Sequence, residues 1–186
     1  MALRLLVLLT ACFLALPAAA EDILARLAEP RTHAIMRHAL APGSADPADF
    51  DLNRCETQRN LSEDGRRQAR RAGDLVRAAG VQIDHVWSSR YCRCLDTATE
   101  MAIGAVEARG FLNSFVRFRT RATSQTRETR EALAALPPDQ TAFLVSHNVN
   151  GEALTGTRPI SGEIQVIQVS ETGAVTLLGS VRVPVF

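Results

Sequence analysis

Lysine is absent from this chain of 186 residues: all 21 basic residues are arginine. Arginine richness of this kind follows from GC-rich coding, so no single arginine is informative without its context. Acidic residues number 20, which leaves a formal net charge of +1 and no global field to recruit nucleic acid. Aromatic side chains make up only 5%, with a single Trp and a single Tyr. The arginine-rich stretch 66–77 has no aromatic residue interleaved, so it reads as a solvated helix face rather than a stacking platform for bases. A long hydrophobic run is also missing. The longest, Leu5 to Leu16, falls short of the roughly 20 residues that a spanning helix needs.

That apolar run has a different reading. Met1-Ala2-Leu3-Arg4 is a short positive start, and Pro17-Ala18-Ala19-Ala20 ends in an Ala-x-Ala pattern, so residues 1–20 read as a signal peptide cleaved before Glu21. Leu9-Thr10-Ala11-Cys12 offers a lipoprotein box as the minority alternative, although the residues after Cys12 lack the polar tether such an anchor uses. Both readings export the protein, to a bacterial periplasm, with no stable membrane span after processing. Residues 21–186 remain for one domain, long enough to bury a substantial core.

Export makes the cysteines readable. Cys55, Cys92 and Cys94 remain once Cys12 is set aside, an odd number that permits one bridge and one free thiol. Cys92 and Cys94 point in different directions if helical, and Cys55 to Cys92 is the expected bridge, worth roughly 3–4 kcal/mol by loop closure. A three-cysteine zinc site is the alternative, with no histidine in ligand spacing to support it.

The chain is organised around Thr32-His33-Ala34-Ile35-Met36-Arg37-His38. An apolar run leads into Arg37 and His38, and then the chain turns polar from residue 40 to 61. This is a buried strand whose carboxyl edge delivers a planar cation and an imidazole, at the edge where open α/β sheets bind ligands. Ser62 caps a helix expected to reach Ala79 and stop at Gly80, with Ala69, Ala72, Val76 and Ala79 on its apolar face. Ile83 to Trp87 is a strand, and a helix is expected from Tyr91 to Ala108 with Leu95, Ala98, Met101, Ala102 and Ala105 inward. Residues 111–121 are irregular or a short strand, Gln125 to Leu136 is a helix, and Thr141 to Ser146 is a buried strand ending at His147. Gly162 to Val169 and Ala174 to Val183 are further strands around a turn. A short amphipathic helix over Glu21 to Ala28 precedes them all. The fold class is therefore α/β: a single domain with a mostly parallel central sheet flanked by helices.

Strand ends thus offer Arg37-His38, the Ser88-Ser89-x-x-x-Arg93 turn and His147, with Arg59 in the loop before the first long helix. Two histidines and several arginines at one sheet edge make a pocket for a tetrahedral dianion, each charge-assisted hydrogen bond being worth about 1.5–3 kcal/mol. His33 and His85, beside the strands, read as structural histidines, Trp87 as a core residue, and Cys94 as a small core residue.

In these motifs the chain resembles the histidine phosphatase superfamily, the phosphoglycerate-mutase-like fold. Arg37-His38-Ala39 stands where that family has Arg-His-Gly. Asn60-Leu61-Ser62-Glu63-Asp64-Gly65-Arg66-Arg67-Gln68-Ala69 resembles its helix start, Ser88-Ser89-Arg90-Tyr91-Cys92-Arg93 its serine turn, and Val145-Ser146-His147-Asn148 its second-histidine strand end. Cys55 to Ser62 is similar to a stretch of a small exported bacterial branch. The resemblance implies a phosphatase in which His38 is the nucleophile and forms a phosphohistidine. Arg37 and Arg93 hold the equatorial oxygens, His147 donates to them, and Arg59 is a further clamp. No metal or cofactor is implied. The substrate class is a small or envelope-associated phosphomonoester, such as a core heptose phosphate.

Departures matter as well. Ala39 replaces Gly, Arg90 replaces Pro, and Asn148 leaves the His-Asp acid of one branch absent. Glu128 and Glu131 fall on a helix, where pairing of Arg127 with Glu131 is the expectation. The missing acid leaves a water or an Asp of the 40–61 loop for that role. It also favours substrates with good leaving groups, and it raises the alternative of a catalytically weak phosphate-binding or interaction module on the same fold.

Overall fold

The computed structural model describes residues 18–185, with side chains from Asp22 onward. Residues 1–17, and with them most of the expected signal peptide and Cys12, lie outside the described residues. Helix α1 (Ala18–Ala25) runs into a 3-10 turn (Arg26–Ala28) and then strand β1 (Thr32–Arg37). After the long loop come α2 (Glu63–Ala78), β2 (His85–Ser88), α3 (Cys92–Met101) and β3 (Val106–Ala108). The chain closes with α4 (Ala122–Ala134), β4 (Ala142–Ser146), α5 (Asn148–Thr155), β5 (Glu163–Val169) and β6 (Val175–Arg182). Among the described residues no helix is long and apolar enough to cross a membrane.

The six strands form one mixed sheet in the order β3-β2-β4-β1-β5-β6. Strands β1 to β4 run parallel to one another, whereas β5 is antiparallel to β1 and β6 antiparallel to β5. Central strands are apolar on both faces because both are covered. Ala34, Met36, Val86, Phe143 and Val145 meet α1, α2 and α3 on one face. Ile35, Trp87 and Leu144 meet Leu112, Leu133 and Leu154 on the other.

Local signals set α2. The Ser62 hydroxyl accepts from the Gly65 amide at 3.0 Å, Glu63 and Asp64 occupy the first turn, and Gly80 continues at φ 68°. Two of its arginines bind carboxylates of α3: Arg66 bridges to Asp96 at 2.9 Å and to Glu100 at 3.2 Å, and Arg70 reaches Glu100 at 2.6 Å. That face fastens α2 to α3.

Two expectations about helices are corrected. Helix α3 stops at Met101 rather than Ala108, with Ala102 left-handed at φ 51°. Arg77 of α2 donates to the carbonyls of Met101 and Ala102 at 2.6 and 3.0 Å, a cap supplied from another element. Ala102 and Ala105 are accordingly exposed, and residues 106–108 join the sheet as β3. Helix α5 was not expected, because Asn148, Asn150 and Gly151 are weak helix formers. Gly151 is required there by packing: a Cβ would stand 2.7 Å from Pro159 Cγ.

Candidate active site

Parallel pairing of β2, β4 and β1 brings three carboxyl ends side by side, with Ser88 against Val145 and Arg37 against Ser146. One residue beyond each lies a side chain of the site: His38 after β1, Ser89 after β2, His147 after β4. The His38 amide donates to the Ser146 carbonyl at 2.9 Å and the Ser89 amide to the Val145 carbonyl at 2.9 Å, so the strand geometry persists into these residues. The imidazole rings of His38 and His147 stand edge to face, 5.5 Å between centroids.

His38 is 2% exposed, and its Nδ1 lies 2.8 Å from the Ala39 carbonyl. A carbonyl only accepts, so Nδ1 carries the proton and Nε2 keeps its lone pair. The Ala39 amide in turn donates to Thr97 Oγ1 at 3.0 Å, which ties this segment to α3. Burial first, then Arg93, Arg37 and Arg59, holds His38 well below the usual histidine value despite the Ala39 bond that opposes it. The ring therefore rests neutral, with the Nε2 lone pair free.

His147 is fixed by a chain of acceptors. Its Nε2 lies 2.9 Å from Ser89 Oγ and 3.5 Å from Cys94 Sγ. Ser89 Oγ donates to Asn113 Oδ1 at 3.2 Å, and the Arg90 amide donates to the same oxygen at 2.8 Å. The Cys94 thiol donates to the Ser146 carbonyl at 3.5 Å. Both neighbours have committed their protons, so Nε2–H of His147 donates to them and Nδ1 is the free nitrogen. Tyr91 packs edge-on against this ring at 4.7 Å. Burial and the surrounding cations also hold His147 well below its ordinary value, whereas burial pushes the Cys94 thiol up to about 12.

The arginines complete the pocket. Arg93 sits in the first turn of α3 at 4% side-chain exposure, where the helix amides also favour an anion. Arg37 and Arg59 are half-buried, and burial is the first cause that lowers both guanidinium values. The Nε atoms of Arg37, Arg59 and Arg93 are all buried without a hydrogen-bond partner among the described residues. Donors left unmade in three converging guanidinium groups are costly unless an oxyanion completes them. The structure thus brings all five expected residues together: Arg37, His38, Arg59, Arg93 and His147.

It places others elsewhere. Arg90 points to Asn53 at 3.3 Å on the exposed rim. His33 Nδ1 accepts the Ala142 amide at 3.2 Å, and His85 Nε2 meets Gln140 Oε1 at 2.8 Å, both structural roles. Glu128 is exposed and Glu131 pairs with Arg127 at 3.6 Å, away from the pocket. Cys55 and Cys92 are joined, Cα to Cα 5.7 Å, and Cys94 is the free buried thiol. With two of its three thiols oxidised, the zinc reading has no ligand set. Residues that sequence reasoning missed are Ser89 as the partner of His147, Asn113, Cys94 as part of the pocket floor, and Asp46, whose carboxylate lies 2.7 Å from Arg93. A groove of about 950 Å³ runs along α4 beside the Glu171–Ala174 turn, and none of the five residues of the site lines it.

Comparison with known proteins agrees with this geometry. The model of the histidine phosphatase superfamily (branch 1) matches residues 34–108. No curated protein matches the chain significantly. Among solved structures, the protein histidine phosphatase SixA complexed with tungstate is 20% identical with a TM-score of 0.59, covering 81% of this chain and 96% of that one. A mycobacterial glucosyl-3-phosphoglycerate phosphatase is 17% identical with a TM-score of 0.57, covering 82% and 98%. A phosphoserine phosphatase from Entamoeba histolytica, in complex with 3-phosphoglyceric acid, is 13% identical with a TM-score of 0.55, covering 80% and 95%. The family model thus spans the segment that holds Arg37, His38, Arg59 and Arg93, and 81% of the chain shares the fold of the SixA structure.

Proposed function

We propose that this chain is an exported, metal-independent phosphatase that acts through a phosphohistidine at His38 on a small or envelope-associated phosphomonoester. The observation that carries the reading is the set of unpartnered guanidinium Nε atoms around a neutral imidazole whose free nitrogen is Nε2. His38 Nε2 forms the P–N bond as the P–O bond to the leaving group breaks. Arg37, Arg59 and Arg93 neutralise the equatorial oxygens, the role a divalent cation plays elsewhere. Water then attacks phosphorus and the P–N bond breaks, its electron pair returning to Nε2. The similar structures named for phosphatases acting on phosphohistidine, phosphoserine and a sugar phosphoglycerate support the reaction class and leave the substrate open. The leader-like residues 1–20 and the Cys55–Cys92 bond suit an oxidising compartment.

The test is hydrolysis of p-nitrophenyl phosphate by residues 21–186 with chelator present, beside His38→Ala. Chelator-resistant turnover that disappears in the variant is the expected result. No turnover by the unsubstituted protein at several pH values overturns the catalytic reading in favour of a phosphate-binding module.

A further inference from the structure

Asp46 stands out among the carboxylates. Its Oδ1 is 2.7 Å from Arg93 Nη1, its Oδ2 is 3.4 Å from Nη2, and Oδ1 also accepts the Arg59 amide at 3.1 Å. The side chain is only 12% exposed. Its own backbone carbonyl, with that of Pro47, is held by Arg117 Nη2 at 3.1 and 3.2 Å. Among the described residues no other carboxylate forms an ion pair with Arg37, Arg59 or Arg93.

Arg93 therefore has two edges. Its Nη edge is taken by Asp46, while its Nε is buried and open. An oxyanion completing the Nε donors would share this guanidinium with Asp46 and lie beside its carboxylate. A second negative charge at that distance raises the carboxylate's affinity for a proton.

We propose that Asp46 is the proton donor to the leaving group, and that the bound phosphoryl group, by its own charge, brings the proton onto it. This rests on the phosphatase reading above. In the first half-reaction His38 Nε2 bonds to phosphorus. The leaving oxygen keeps the electron pair of the broken P–O bond and takes the Asp46 proton. In the second, the Asp46 carboxylate accepts a proton from the attacking water, phosphate departs, and His38 regains its lone pair. The charged and titratable groups around Asp46 are Arg93, Tyr91 and Cys94 of the α3 region, Arg59 on its own loop, and Arg117 from the segment before α4.

The experiment compares p-nitrophenyl, phenyl and n-propyl phosphate as substrates of the unsubstituted protein, Asp46→Asn and Asp46→Glu. In Asp46→Asn, the ratio of kcat/KM for n-propyl phosphate to that for p-nitrophenyl phosphate falls about 100-fold or more, because only the alkyl leaving group needs the acid. Asp46→Glu recovers part of the alkyl phosphate rate. An equal fall on all three substrates makes Asp46 a structural residue, and no change, or a rise on all three, makes it a bystander or an internal competitor for Arg93; each overturns the proposal. The unsubstituted protein supplies a check that needs no folded variant: its rates depend shallowly on leaving-group pKa, and a steep dependence is contradictory. Failure of the phosphatase reading is seen separately, as absent turnover of p-nitrophenyl phosphate by the unsubstituted protein.

Discussion

Ser89 Oγ accepts the Nε2 proton of His147 at 2.9 Å, and this single bond decides which nitrogen of that ring faces an incoming oxyanion. It works because Ser89 has spent its own proton on Asn113, whose oxygen is fixed as an acceptor by the Arg90 amide. Since both His38 and His147 rest neutral, the proposed donation from His147 to phosphate requires it to gain a proton at Nδ1. Inorganic phosphate binding therefore carries net proton uptake near neutral pH, seen as a buffer-dependent enthalpy in calorimetry. Ser89→Ala weakens phosphate binding by about tenfold, in line with loss of one charge-assisted bond. Unchanged affinity and no proton uptake would refute this assignment of the ring.

The Cys55–Cys92 bridge joins the loop bearing Arg59 and Asp46 to the head of α3 bearing Arg93, across a sequence separation of 37. Gln58 reinforces it, its Oε1 accepting the Cys92 amide at 3.0 Å. Loop closure over that length corresponds to about 4 kcal/mol. Reduction, or Cys55→Ser with Cys92→Ser, should lower the melting temperature by roughly 8–15 °C. Below that melting point it should also raise KM for p-nitrophenyl phosphate, because Arg59 loses its register with Arg93. An unchanged KM in the folded double variant would confine the bridge to stability.

Acid should destabilise the fold before the carboxylates titrate. Burial first, then Arg31 and His85, pushes His33 down to about 4. The unfolded chain binds this proton near the ordinary value of about 6.5, so between those limits the unfolded state holds more protons and stability falls as pH falls. His33 alone accounts for roughly 3 kcal/mol of that loss by pH 4. His38 and His147 shift in the same direction and add to it. Urea midpoints measured from pH 7.5 to 4.5 should decline through this window, less steeply in His33→Gln. A flat profile would contradict the burial of neutral histidines.

Gly73→Ala, in the middle of α2, gains about 1 kcal/mol of helix propensity in an isolated helix. Here a Cβ would fall 1.9 Å from the Met101 carbonyl oxygen, so α2 and α3 must separate. A net loss of about 2 kcal/mol is expected from denaturant unfolding, within the overpacking range. A stabilised variant would show that the crossing is looser than the structure has it.

The sequence carries the site better than the fold around it. Arg37, His38 and His147 were legible because each follows a continuous apolar run, and a strand that ends in a charged side chain announces the sheet edge. Helix α2 was legible because its cap, apolar face and stop are all local to residues 62–80. Helix α3 was overextended because its stop is the Arg77 side chain, 24 residues away in sequence, and an apolar repeat says nothing of a remote cap. Helix α5 was missed because Gly151 answers to Pro159 rather than to helix propensity. Asp46 could be placed on a polar loop and no further, since its meaning comes from Arg93, 47 residues on.

The most direct test of the account is to mix the protein with p-nitrophenyl phosphate, quench it within the first turnovers under mildly alkaline conditions that preserve phosphoramidates, and map the phosphoryl group by peptide mass spectrometry. The account predicts acid-labile phosphate on the peptide containing His38, at Nε2, and none in His38→Ala. Turnover with label on no histidine, or on His147 while His38 stays unmodified, would contradict it.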